Sequence, residues 1–227
     1  MNICIIPARG NSKRIVNKNT LNFFGKPIIS YPIQIAKKSR LFKKIIVSTD
    51  SKKIANISIK YGAEVFTRPK KISGRNSPIV KTIEHTLNIL KNKNIYPRLI
   101  CILYPCNPIL KISTLLKCKK LLLDSKVSSV ITVGRYSYPI QRALKKDKFN
   151  YFILREKKNK FKMSQDLEQF YQDAAQCYWY NLRKIKNLRD SFKTKALELK
   201  KFEYQDVDNV EDLENLKNIY KFNLYKK

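Results

Sequence analysis

The chain has 227 residues, 43% of them hydrophobic and 11% aromatic, which suits one α/β core, is short for two independent domains and excludes a disordered chain. Its formal charge of +31 comes from 48 Lys and Arg against 17 Asp and Glu. These are spread along a sequence also rich in Asn, Ile and Tyr, so the charge reads as compositional bias and no specific nucleic-acid partner is expected. Lysines interrupt every apolar run well short of a spanning length. The opening residues 1–7 lack the charged start and long apolar run of a secretory signal. A cytoplasmic protein without membrane insertion is expected.

Residues 2–8 read as a buried strand, followed by a glycine-containing basic loop to about residue 24. Residues 27–39 read as a helix that tolerates Pro27 in its first turn. A strand is expected over 43–49, a helix over 51–61, and a third strand over 63–67. A Pro-, Ser-, Gly- and Asn-containing loop over 68–78 leads to a helix over 79–90 and a short strand over 99–104. A helix over 112–123 carries leucines at helical spacing, and a strand follows over 129–133. From 137 to 172 the alternation breaks into aromatic, charged sequence, read as an arm inserted in a single domain spanning 1–227. Strands return over 176–180 and 196–202, a last helix covers 210–222, and 223–227 reads as a loose tail. Strands alternating with helices imply a mainly parallel sheet covered on both faces. Ligands then bind beyond the carboxyl ends of the strands, at the loops after Ala8, Thr49, Thr67 and Tyr104. The five cysteines have no paired spacing and are expected to be reduced, packed thiols.

Three segments carry chemistry. Pro7-Ala8-Arg9-Gly10-Asn11-Ser12-Lys13-Arg14 places a glycine, a hydroxyl and three cations just past a buried strand, with Lys18-Asn19 soon after. On chemistry alone this is either a cradle for phosphate oxygens or a solvated basic turn; it matches neither the P-loop nor the dinucleotide pattern. Asp206 and Asp208, one residue apart on an extended chain, face one side and suit a shared hard cation such as Mg2+. The same segment also suits capping of the final helix by Asp208 or Asn209. In the arm, Gln141, Arg142, Gln165 and Asp166, with Gln176 beyond it, offer amides and charges for a polar, acidic ligand or for contacts with a second copy. The lone histidine, His85, falls within a helix with nothing nearby to orient it as a base.

The run Ile6 to Arg14 with Lys18-Asn19 resembles the opening signature of the CMP-sialic acid synthetase (acylneuraminate cytidylyltransferase) family. So do Gly25-Lys26-Pro27-Ile28, Val47-Ser48-Thr49-Asp50 with Ile54-Ala55, and Tyr61-Gly62-Ala63-Glu64-Val65 leading to Arg68-Pro69. The resemblance covers nearly the whole chain. It implies a Rossmann-like nucleotidyltransferase fold with an inserted dimerisation arm. It implies CTP bound by Ala8, Arg9, Gly10, Ser12, Lys13, Lys18, Asn19 and Arg68. It implies Mg2+ on Asp206 and Asp208, catalysis by these two with Arg9 and Lys13, and a homodimer. Ser137-Tyr138-Pro139-Ile140-Gln141-Arg142-Ala143 and the stretch from Ser164-Gln165-Asp166 to Gln176-Cys177-Tyr178-Trp179 resemble the pseudaminic acid branch more than the neuraminic acid branch. Residues 70–76 and 104–108 depart from the family pattern, and Ala175 and Tyr180 stand where that branch often has glycine.

The reaction implied joins CMP from CTP to a nine-carbon acid sugar, with release of pyrophosphate. The alternatives are a cytidylyltransferase for legionaminic, neuraminic or 3-deoxy-octulosonic acid, or, from another class, a basic nucleic-acid-binding protein on a degenerate version of the fold.

Overall fold

The structure is a computed structural model that describes residues 1–12, 14–74, 76–188 and 193–225. From the N-terminus, β1 (Asn2–Pro7) leads into a small hairpin of β2 (Asn22–Phe23) and β3 (Lys26–Pro27), then α1 (Ser30–Ser39) and β4 (Lys44–Thr49). Next come α2 (Lys52–Lys60), β5 (Glu64–Thr67), α3 (Ile79–Asn92), β6 (Leu99–Leu103), α4 (Ile112–Leu122) and β7 (Ser129–Arg135). The arm carries a second hairpin, β8 (Leu144–Lys146) with β9 (Phe152–Leu154). The chain then returns through β10 (Tyr171–Asn181), β11 (Thr194–Leu199) and α5 (Val210–Tyr225).

Among the described residues, seven strands form one sheet in the order β11-β7-β10-β6-β1-β4-β5. β10 runs antiparallel to β6 and β7, and the other pairs are parallel. Successive strand residues face opposite sides. Cys4 and Ile6 of β1 join Cys101 and Leu103 of β6 in a core with Ile33 and Ala36 of α1 and Leu115 and Leu122 of α4. Ile3 and Ile5 join Ile100 and Ile102 in a second core with Ile83 and Leu90 of α3. Each such buried aliphatic contributes about 1.5–3 kcal/mol relative to exposure, so the covered faces hold the strand ends in register. All five cysteines are free and buried. No helix among the described residues is long and apolar enough to cross a membrane.

Three expectations are corrected. The helix expected from Pro27 begins at Ser30. Phe24 and Gly25 take φ of 46° and 81°, turning the chain so that Asn22 pairs with Pro27 and Phe23 with Lys26; proline sits in a strand edge where its missing N–H is tolerated. The tail is ordered through Tyr225. Asn223 Nδ2 donates to the Phe202 carbonyl at 3.0 Å, and the Phe202 and Phe222 rings lie 5.1 Å apart. Residues 226–227 lie outside the described residues. The strand expected over 176–180 extends over 171–181 as β10, with a bulge between Asp173 and Tyr178.

Candidate active site

The loops after β1, β4, β5 and β6 meet at one edge of the sheet. Asp50, just past β4, joins three of them. Its Oδ1 accepts the Gly10 N–H at 2.8 Å and lies 3.6 Å from Arg68 Nη2, while the Arg68 N–H donates to the Thr49 carbonyl at 2.8 Å. The Arg68 residue is 7% exposed. Its Nη1 donates to Thr82 Oγ1 on α3 at 2.8 Å, and its Nε and Nη2 have no hydrogen-bond acceptor among the described residues. Burial lowers the Arg68 pKa; Asp50 opposes that, and the charge of Arg9 adds to it. Two guanidinium groups within electrostatic reach, one with idle buried donors, form a site that an anion satisfies.

The cleft above this edge has a volume of about 680 Å3 and is lined by Arg9, Ser12, Lys18, Asn19 and Arg68, together with Asn11, Arg14, Tyr104 and Asp208. Ala8 is buried beneath it, its N–H bonded to the Ser48 carbonyl at 2.9 Å. Lys13 lies outside the described residues. Asn19 is 5% exposed; its Nδ2 donates to the Arg9 carbonyl at 2.8 Å, and its Oδ1 accepts the Cys106 thiol at 3.4 Å. Asn19 therefore holds the basic loop in shape from below.

The carboxylate loop is fastened to the basic loop. Val207 packs with Ile15, Phe23, Ile28 and Cys106 in a third apolar cluster. Lys18 Nζ donates to the Val207 carbonyl at 2.5 Å, and Arg14 Nη2 donates to Asp208 Oδ1 at 2.6 Å. The capping question has a clear answer. Asn209 Oδ1 accepts the Asp212 N–H at 2.9 Å, and Asp212 Oδ2 accepts the N–H groups of Asp208 and Asn209 at 2.8 and 3.0 Å. This reciprocal capping box starts α5 and leaves the side chains of Asp206 and Asp208 out of the cap. Desolvation and then the charge of Asp208 hold the Asp206 carboxyl above the ordinary carboxylate value. A hard cation relieves that repulsion, and magnesium commonly takes one or two carboxylates with phosphate oxygens and water. No group of three or more His, Cys, Asp or Glu among the described residues is arranged to hold a metal by itself; the two carboxylates fit the one or two that magnesium takes when phosphate and water complete its shell.

Tyr204 leads into this loop, and the hydroxyl end of its ring fills the space beside Gly134 on β7, where any Cβ would overlap it. Gln172 Nε2 donates to the Tyr204 hydroxyl at 3.1 Å.

The expected sugar-side residues are dispersed. Gln141 is buried and donates to the Glu168 carbonyl at 2.7 Å. Arg142 donates to Ser164 Oγ at 3.3 Å and to the Lys162 carbonyl. Gln176 is buried and donates to the Glu203 carbonyl at 2.6 Å. Gln165 and Asp166 sit in an exposed short turn. Gln165 lines a second, larger groove of about 1250 Å3 between the arm, the end of β11 and α5. That groove is wider, but the cations and the Asp208 carboxylate converge in the smaller cleft. Asp50, Thr82, Arg14 and Tyr104 belong to the cleft's construction without having been singled out as site residues. The signal available for Asp50 was a rare acid at a strand end in a strongly basic chain.

A seven-stranded, mainly parallel sheet thus carries a cationic cleft at its strand ends, with Asp208 of the facing carboxylate loop on its wall, the arrangement expected of a nucleotidyltransferase. A family profile described as cytidylyltransferase matches residues 3–226. The chain is 32% identical over 225 residues to the pseudaminic acid cytidylyltransferase of Campylobacter jejuni, covering 98% of this chain and 97% of that one. It is 33% identical over 140 residues to the N-acylneuraminate cytidylyltransferase of Escherichia coli, covering 61% of this chain and 32% of that one. The fold matches a solved CMP:2-keto-3-deoxy-manno-octonic acid synthetase complexed with CTP, with a TM-score of 0.67 at 13% identity over 98% of this chain and 99% of that one. The chain belongs to the cytidylyltransferase family.

Proposed function

We propose that this enzyme transfers CMP from CTP to a nine-carbon sialic-acid-like sugar, with pseudaminic acid as the preferred acceptor, and releases pyrophosphate. The observation that carries the reading is the convergence of Arg9, Lys18, Arg68 and Asp208 on one cleft, in a chain matched along nearly its whole length by a pseudaminic acid cytidylyltransferase. The anomeric hydroxyl of the sugar attacks the α-phosphorus of CTP, and positioning with charge neutralisation supplies most of the catalysis. Arg9, Lys13 and Arg68 neutralise the triphosphate and the departing pyrophosphate, while Asn19 keeps the Arg9 backbone in place. Asp206 and Asp208 would hold a magnesium ion, which would supply charge neutralisation for the phosphates and Lewis-acid activation of the attacking group.

The arm, residues 137–172 of a single domain, carries exposed Tyr138, Phe149, Tyr151, Phe152 and Phe161. Apolar area of this kind is commonly buried against a partner, which supports a homodimer. The enzyme works in the cytoplasm, where CTP is supplied. Pyrophosphate release with CTP and a panel of pseudaminic, legionaminic, neuraminic and 3-deoxy-octulosonic acids tests the reading. Preference for pseudaminic acid is expected, and equal or reversed kcat/KM ratios would remove that assignment.

A further inference from the structure

At the start of β10 the pairing with β7 slips. Asp173 lies opposite Val133 and Tyr178 opposite Ile131, so residues 174–177 bulge against Thr132. Bulges of this kind re-aim side chains and often sit beside active sites. Within it, Ala175 takes a φ of 48°, and its N–H donates to Asp173 Oδ1 at 2.9 Å. The Tyr178 hydroxyl reaches both Asp173 oxygens, at 2.8 and 2.9 Å. An exposed carboxylate is thus held in one orientation by a backbone N–H and a phenol.

The clamp adjoins the cleft. The Tyr178 ring lies 5.2 Å from the Tyr104 ring, and Tyr104 lines the cleft. Burial raises the Tyr104 pKa, opposed by its hydrogen bond with Tyr178 and reinforced by the charges of Asp173, Asp206 and Asp208. Burial and then its neighbours Tyr104 and Asp173 hold the Tyr178 pKa far above the ordinary tyrosine value, so Tyr178 remains a donor at any working pH. In the same bulge Gln176, 1% exposed, spends its Nε2 on the Glu203 carbonyl and leaves its Oε1 without a donor among the described residues. One bulge thus carries an oriented, exposed carboxylate and a buried amide oxygen without a donor among the described residues, and adjoins the cleft through Tyr178 and Tyr104.

Building on the acid-sugar reading above, we propose that Asp173 selects and orients the acceptor: its clamped carboxylate accepts a hydrogen bond from an N–H or O–H of the incoming sugar. A carboxylate accepts and never donates, so it rewards an amide N–H or hydroxyl and repels the sugar's own acid group. In a chain with 48 basic and 17 acidic residues, that repulsion turns the acid end of the sugar toward the cations and the donor-bearing end toward Asp173. Tyr178 acts through Asp173 as a positioning residue.

Asp173→Asn keeps the volume and an acceptor for Tyr178 but replaces one acceptor oxygen with a donor. It is expected to raise KM for the acid sugar by about 10- to 100-fold while KM for CTP stays within about twofold and the thermal midpoint is unchanged. Tyr178→Phe should move the sugar KM in the same direction by less. Pyrophosphate release with an unchanged sugar KM in Asp173→Asn would overturn the inference alone. Parallel rises in both KM values, or a drop in thermal midpoint that tracks the loss, would also overturn it by making the clamp structural. If the unaltered enzyme releases no pyrophosphate with any acid sugar, the substrate reading fails and the inference falls with it.

Discussion

Arg14 and Asp208 meet at 2.6 Å across 194 residues of sequence, so the basic loop supplies a cation to one of the two carboxylates expected to hold magnesium. Their side chains are 58% and 45% exposed, and a pair that open to water contributes about 0–1 kcal/mol. Arg14→Ala should therefore leave the thermal midpoint nearly unchanged. It should lower the magnesium concentration for half-maximal activity by about two- to fivefold, the factor that removing a competitor of that strength gives. A magnesium titration of initial rates checks it; an unchanged midpoint of that titration means the pair does not compete with metal.

Asp208→Ala should reduce turnover by at least about 100-fold with the fold intact. The fold is spared because Asn209 and Asp212 carry the cap of α5. Asp206→Ala should follow with a smaller loss. Pyrophosphate release paired with circular dichroism separates the two effects, and a wild-type rate in Asp208→Ala would end the metal assignment.

Arg9→Ala and Lys13→Ala should each lower kcat/KM for CTP by about 100-fold, the range found for single donors to a developing anion. The motive for Arg9 is its place beside the buried Arg68 with idle donors. Saturation curves in CTP at fixed sugar decide it. Unchanged curves in both variants would return the loop to a solvated surface.

The thiols should be silent in the native protein. Burial pushes Cys101 and Cys106 up to about 12, so their reactive thiolate is on the order of 10⁻⁴ of the total near pH 8. Alkylation should leave all five cysteines unmodified at pH 8 and label all of them after unfolding, with native labelling rising only as pH approaches the raised values. Mass spectrometry counts the adducts; rapid native labelling of Cys106 would show that the floor of the cleft opens.

Ala175→Gly should stabilise the enzyme. A φ of 48° costs a residue with a Cβ about 1–2 kcal/mol, partly offset by the greater unfolded freedom of glycine. A net gain of about 0.5–1 kcal/mol corresponds to a rise of roughly 2–4 °C in Tm at most for a chain of this size. A thermal melt checks it, and a fall in Tm would mean the alanine methyl packs productively in the bulge.

The layered fold was readable because strand and helix periods alternate, and the cationic loop because it follows the first buried strand. Strand direction is not written in a period of two, so nothing in residues 176–180 announced that β10 runs antiparallel or begins at Tyr171. Pro27 looked like a first helical turn because the turn that Phe24 and Gly25 make depends on positive φ rather than on side-chain pattern. For residues 206–212, spacing alone left capping and metal binding open; only the geometry shows that the cap falls to Asn209 and Asp212. Amides such as Gln141 and Gln176 look the same in sequence whether they face a ligand or a backbone carbonyl, and here their donors are taken by Glu168 and Glu203.

Gly134 lies on β7, outside the residues that line the cleft, yet its missing side chain leaves the space that Tyr204 occupies, two residues before Asp206. A random-mutagenesis screen scored by turnover would rank position 134 beside the aspartates, although Gly134 does not line the cleft. An inheritable defect in this enzyme can therefore arise from a single added methyl group on a sheet strand.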